Sequence, residues 1–196
     1  MKSLNIAFAA ATFALVTAPV AAQSLGAGSN SDQFVEAVQK SDGDKATQLI
    51  QDHPTLIDAR NGKGDTALII AIGRSDSTWT AFLLNKGADP NLAGANGDTP
   101  LIAAARVGFD EATDWLLQVG AKVDGTNRMG ETPLIIAVQQ HDTTMVRLLL
   151  NANANPDKTD AAAGYSARDY ATRDPRARDI LKLINDKKPK PASASK

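Results

Sequence analysis

Gly97-Asp98-Thr99-Pro100-Leu101-Ile102-Ala103-Ala104 decides how this chain folds, because two near-copies flank it at one fixed distance. Gly64-Asp65-Thr66-Ala67-Leu68-Ile69-Ile70-Ala71 lies 33 residues before it, and Gly130-Glu131-Thr132-Pro133-Leu134-Ile135-Ile136-Ala137 lies 33 residues after it. A weaker fourth copy, Gly164-Tyr165-Ser166-Ala167-Arg168-Asp169-Tyr170-Ala171, follows one residue late, with the extra residue assigned to the loop Thr159 to Ala163. Further positions keep the phase. Leu83-Leu84, Leu116-Leu117 and Leu149-Leu150 recur together, as do the closing pairs Gly87-Ala88, Gly120-Ala121 and Asn153-Ala154. A period of this length marks a repeat architecture, in which each unit buries its apolar face against its neighbours.

The spacing has a physical reading. Thr99-Pro100 and Thr132-Pro133 read as an N-cap oxygen followed by proline at the first helical position, where a missing N–H costs nothing. Leu101, Ala104 and Ala105, like Leu134, Ala137 and Val138, form the packing face of a short inner helix, and the alanines let neighbouring helices approach closely. A second, outer helix carries Trp115, Leu116 and Leu117 in one unit and Met145, Leu148, Leu149 and Leu150 in the next. Gly87 and Gly120 end the outer helices, and Asn96-Gly97 and Met129-Gly130 supply the turn into the next unit.

These residues resemble the ankyrin repeat, with its period of 33 and its T-P-L-H-x-A signature. The likeness runs from about residue 31 to 185. It departs at one position in every full copy, where Ile69, Ile102 and Ile135 replace the usual His. Asn153 replaces the usual Gly, a mild change because Asn tolerates the left-handed conformation. The expected fold is therefore an all-α ankyrin-repeat solenoid of helix-turn-helix pairs joined by hairpin loops.

The units are expected at 31–63, an N-terminal cap repeat, then 64–96, 97–129 and 130–163, then a C-terminal cap repeat at 164–185. In the first, Phe34, Val35 and Val38 share a helix, Asp42-Gly43-Asp44 is read as the turn, and Leu49-Ile50 lie on the second helix. In the last, Ile180, Leu181, Leu183 and Ile184 form the final packing face. More polar terminal repeats are expected because each end of a solenoid faces water. Residues 23–30 read as a Gly/Ser linker and 186–196 as a disordered tail.

Residues 1–22 read as a secretory signal peptide: a positive start at Lys2, an apolar run from Leu4 to Val16, then small residues up to Ala22. Cleavage after Ala22 would make Gln23 the mature N-terminus. A span across a bilayer takes roughly 20 apolar residues, more than this run supplies. A periplasmic or secreted protein without membrane insertion after cleavage is expected.

Composition narrows the function. The 21 basic and 22 acidic side chains nearly cancel, so the basic face that nucleic acid requires is not expected. With no Cys and only His53 and His141, a thiolate site or a multi-histidine metal centre is not expected, nor any cofactor. Asp65, Asp89, Asp98, Asp124 and Glu131 lack the closely spaced oxygen set of a calcium loop. Thr66, Thr99 and Thr132 read as caps rather than nucleophiles, the two histidines as solvated turn residues, and Trp79 and Trp115 as core.

What the resemblance implies is a non-enzymatic protein-binding module whose partner contacts come from the concave side, and a monomer is expected. On the family's pattern, those positions hold Lys63, Asp65 and Arg74, then Asn96, Asp98, Arg106 and Val107, then Met129, Glu131, Gln139 and Gln140, with Tyr165 and Arg173 from the cap. Arg74, Arg106, Met129 and Tyr165 are of types enriched at interface cores. The expected role is an adaptor, inhibitor or immunity-type protein in the bacterial envelope or medium; the alternatives are a secreted effector acting on a host cell and an oxidative-stress-protective protein.

Overall fold

The computed structural model describes residues 29–187, so the expected signal peptide, most of the expected linker and most of the expected tail lie outside the described residues. Within them the chain forms ten α-helices in consecutive pairs. The first helix of each pair lies in an inner layer: α1 (Asn30–Gln39), α3 (Ala67–Gly73), α5 (Pro100–Val107), α7 (Pro133–Gln139) and α9 (Ala167–Arg173). The second helices form the outer layer: α2 (Gly43–Asp52), α4 (Ser77–Asn85), α6 (Asp110–Gln118), α8 (Thr143–Asn151) and α10 (Arg178–Asp186). Inner helices stack on one another in chain order, and α4, α6, α8 and α10 do the same. This is an all-α repeat solenoid, as the periodicity predicts.

Inner helices of seven or eight residues are too short to persist on propensity, since isolated helices below about 12–15 residues are marginal in water. They persist here because they are capped and packed. The hydroxyls of Thr66, Thr99, Thr132 and Ser166 accept the N–H of the residue three further on, at 3.2–3.3 Å. Leu68, Leu101, Ile102, Leu134 and Ile135 are almost completely buried, and Ala71, Ala104, Ala137 and Ala171 lie in the seam between inner helices. Ile102 and Ile135, at the signature's His position, thus join the core, whereas Ile69 stays half-buried.

The turn from inner to outer helix uses a left-handed residue at Ser41, Ser75, Gly108 and His141, with φ of 58°, 52°, 67° and 60°. Only one of these is glycine, so three copies hold a strained conformation that the hydrogen bonds of the turn must secure. Asp42, Asp76 and Asp142 then cap α2, α4 and α8. Gly43 and Asp44 accordingly belong to the first turn of α2 rather than to a loop, and Ser29 caps α1 so that Asn30 is already helical.

His141 is more than a solvated turn residue: its Nε2 lies 2.7 Å from Asp174, tying the end of α7 to the end of α9. Trp79 is buried and meets Phe82 edge-on, while Trp115 is half-buried against Phe109. At the N-terminal end a 3-10 turn, Pro54–Asp58, follows α2, and α2 rests on that turn.

Candidate protein-binding face

The hairpins stand on the inner-helix side of the stack. Each closes through a backbone bond: Asn61 N–H to Asp65 O, Gly94 to Asp98, Asn127 to Glu131 and Asp160 to Tyr165, at 2.9–3.1 Å. Asn61 and Asn127 brace their hairpins from within, each side-chain oxygen accepting two backbone N–H groups at 3.0 Å. Asp160 does the same for Ala163 and Gly164 in the longer last hairpin. Burial pushes the Asp160 carboxyl up, but the Tyr170 hydroxyl and three backbone N–H groups outweigh it and hold it below the usual carboxylate range. Hydrogen bonding to that carboxylate raises Tyr170 to about 12.

Two ladders of side-chain acceptors tie neighbouring parts of the stack together. Asp32 and Asp65 accept the N–H of Gly62 and Ala95 in the following hairpin, at 2.7 and 2.8 Å. On the loops after the outer helices, Asp58, Asn91 and Asp124 accept the N–H of Asp89, Lys122 and Asn155, at 2.8–2.9 Å. From the sequence, Asp65 is expected to face a partner and Asp124 only lacks a calcium-loop pattern, while Asp32, Asp58 and Asn91 carry no expectation. The signal was present in the 33-residue recurrence of Asp58, Asn91, Asp124 and Asp157 and of Asn61, Asn127 and Asp160.

The expected partner-binding residues fall into two groups. In the first, side chains are engaged within the fold. Arg74 donates to the carbonyls of Val38 and Gln39 at the end of α1. Arg106 grips Asp98 with two donors at 2.9 and 3.1 Å and lies 3.8 Å from Glu131, and the Asp98 bond raises its already high pKa further. Asp98 and Glu131 also accept from Asn127, and Asp65 holds Ala95. Gln140 donates to the Arg106 carbonyl, the Gln139 side chain tempers the rise at Tyr170, and Arg173 lies over the Tyr165 ring at 3.9 Å.

The second group presents side chains outward: Lys63, Asn96, Val107 and Met129 are exposed. Val107 and Met129, at 42% and 50% exposure, are two of the three exposed large apolar residues among the described residues. Five of the expected residues, Asp65, Asn96, Asp98, Arg106 and Val107, meet around a notch of 130 Å³ between the second and third units. Another depression on the same side, of 330 Å³, is lined by Asp32, Val35, Glu36 and Lys63. Among the described residues no group of three or more His, Asp or Glu could hold a metal ion, and no helix is long and apolar enough to cross a membrane.

Paired helices with hairpins rising on one side and a period of 33 define a repeat scaffold that presents a surface rather than an enclosed cleft. A family model described as ankyrin repeats in three copies matches residues 34–127 and, overlapping them, 78–160. The chain belongs to the ankyrin-repeat family. A search of curated proteins gave no match. Ankyrin repeats mark the chain as a protein–protein interaction module, and proteins of this family are generally not enzymes.

Proposed function

We propose that this protein is exported from a bacterial cytoplasm and that its ankyrin array binds one protein partner in the envelope or medium, as an adaptor, inhibitor or immunity-type protein. Export is supported by the order of Lys2, the apolar run Leu4 to Val16 and the small residues ending at Ala22. One observation carries the placing of the binding surface. Val107 and Met129 stand exposed beside the hairpins although the fold has buried most of its other large apolar side chains. Interface cores draw on apolar side chains, Met among the enriched types, within a polar rim.

Capture of the partner from an envelope extract by the tagged chain tests this. Val107→Gln together with Met129→Gln should weaken capture at least roughly tenfold, about 1.4 kcal/mol. Val119→Gln, a matched change on the opposite side where Val119 is 49% exposed, should not. Equal loss from both variants would overturn the placing. Protein from the native host should begin at Gln23; an intact mass that retains Met1 to Ala22 would overturn export.

A further inference from the structure

Two glycines shape the notch between the second and third units. Gly94 stands where the hairpins one repeat away carry Asn61 and Asn127, and Gly73 stands where the inner helices that follow carry Arg106 and Gln139. A Cβ at Gly94 would lie 2.8 Å from the Asp65 carboxylate and 3.1 Å from Ile69, so the hairpin has settled directly onto those two side chains. At Gly73 a Cβ would meet nothing within 4 Å, so the helix end is open. The result is a notch with an apolar lining from Ile69, Ala103 and Val107 and with Asp65 and Asp98 also on its walls.

Resting on the interaction reading above, we propose that this notch seats one lysine side chain of the protein partner. Its stem lies along Ile69, Ala103 and Val107, and its ammonium is held by the Asp65 oxygen that the Ala95 N–H leaves free. Size decides against a small-molecule ligand: 130 Å³ is well below the roughly 300 Å³ at which such sites begin, yet suits one extended side chain. Charge decides against a purely aliphatic one. The walls carry two carboxylates and one guanidinium, and among the described residues no cation pairs with Asp65. An apolar occupant would dehydrate that carboxylate without compensation.

Geometry favours lysine over arginine. Arg106 already takes both Asp98 oxygens, and one Asp65 oxygen is committed to the Ala95 N–H, so no free carboxylate edge remains for a second planar fork. A compact ammonium on an alkyl stem needs only the remaining Asp65 oxygen.

Titrating the chain with N-acetyl-lysine methylamide, followed by amide NMR shifts, tests this without knowledge of the partner. Saturable shifts are expected at Ile69, Gly94, Ala103 and Val107, weakening as salt rises. N-acetyl-norleucine methylamide, the same stem without the charge, should bind at least tenfold more weakly. Gly73→Gln places a side chain in the open helix end, and Asp65→Asn removes the charge while keeping an acceptor for Ala95; each should lower affinity at least tenfold. No saturable shift, equal binding of norleucine, or unchanged binding by Gly73→Gln would each overturn the proposal. Failure here leaves the capture experiment with Val107 and Met129 standing, and failure of that experiment leaves this titration unaffected.

Discussion

The Asp65 carboxylate accepts the backbone N–H of Ala95 at 2.8 Å, tying the start of one repeat to the hairpin that leads into the next. Asp65→Ala leaves that half-buried N–H without its partner and should cost about 1 kcal/mol or somewhat more. Asp65→Asn keeps the acceptor oxygen and should lose less than about 1 kcal/mol. Urea unfolding of the two variants side by side checks the difference; equal losses would mean that charge, not the acceptor, holds the hairpin.

Leu101 is 1% exposed in α5, with an inner helix packed on either side. Leu101→Ala should therefore leave a cavity and cost about 2–5 kcal/mol in chemical denaturation. Removing residues 188–196 should cost almost nothing by the same measurement.

Glycine at two positions answers to opposite demands. Gly130 has φ of 75°, and a Cβ there would lie 2.6 Å from the Ala161 nitrogen and 3.0 Å from its Cβ, so Gly130→Ala should lower Tm sharply. Gly73 closes α3 with open space around it, so Gly73→Ala should raise stability by about 0.5–1 kcal/mol through helix propensity and a stiffer unfolded chain. A calorimetric scan showing both changes to be destabilising would contradict the conformation at Gly73.

Asp110 opens α6 with one carboxylate oxygen buried and unpartnered among the described residues. Burial pushes its pKa above the ordinary value, and the neighbouring Asp142 and Asp114 carboxylates add to the rise. A carboxyl raised on folding destabilises the protein at neutral pH, where it is charged in both states. That penalty disappears as pH falls through the folded value towards the unfolded one. Asp110→Asn should thus raise Tm at pH 7, and its advantage should shrink steadily towards pH 4. An advantage independent of pH would assign the effect to helix propensity instead.

Much of the fold was legible because it is written in residues that act on near neighbours. Thr99 caps a nitrogen three positions away, and Leu101 with Ala104 marks a helical face, so a 33-residue period sufficed to place both layers. The candidate face was less legible. Arg74 and Arg106 look free in the sequence because their acceptors, the Val38 and Gln39 carbonyls and the Asp98 carboxylate, become neighbours only through folding. Gly73 and Gly94 look like ordinary flexible positions; their meaning comes from side chains that the adjacent repeats possess and they lack. The His141 contact with Asp174 was hidden for the same reason, since it spans two inner helices.

The 3-10 turn at Pro54–Asp58 sets the first helix pair apart from the rest. Because α2 leans on that turn instead of packing closely along α4, the outer layer is continuous only from Ser77 onward. The first pair is moored to the array by α1 on α3, by the Asp32 bond to Gly62 and by the Arg74 grip on the end of α1. The first pair is thus anchored mainly through its inner helix, a hinge in the outer layer that no later pair has.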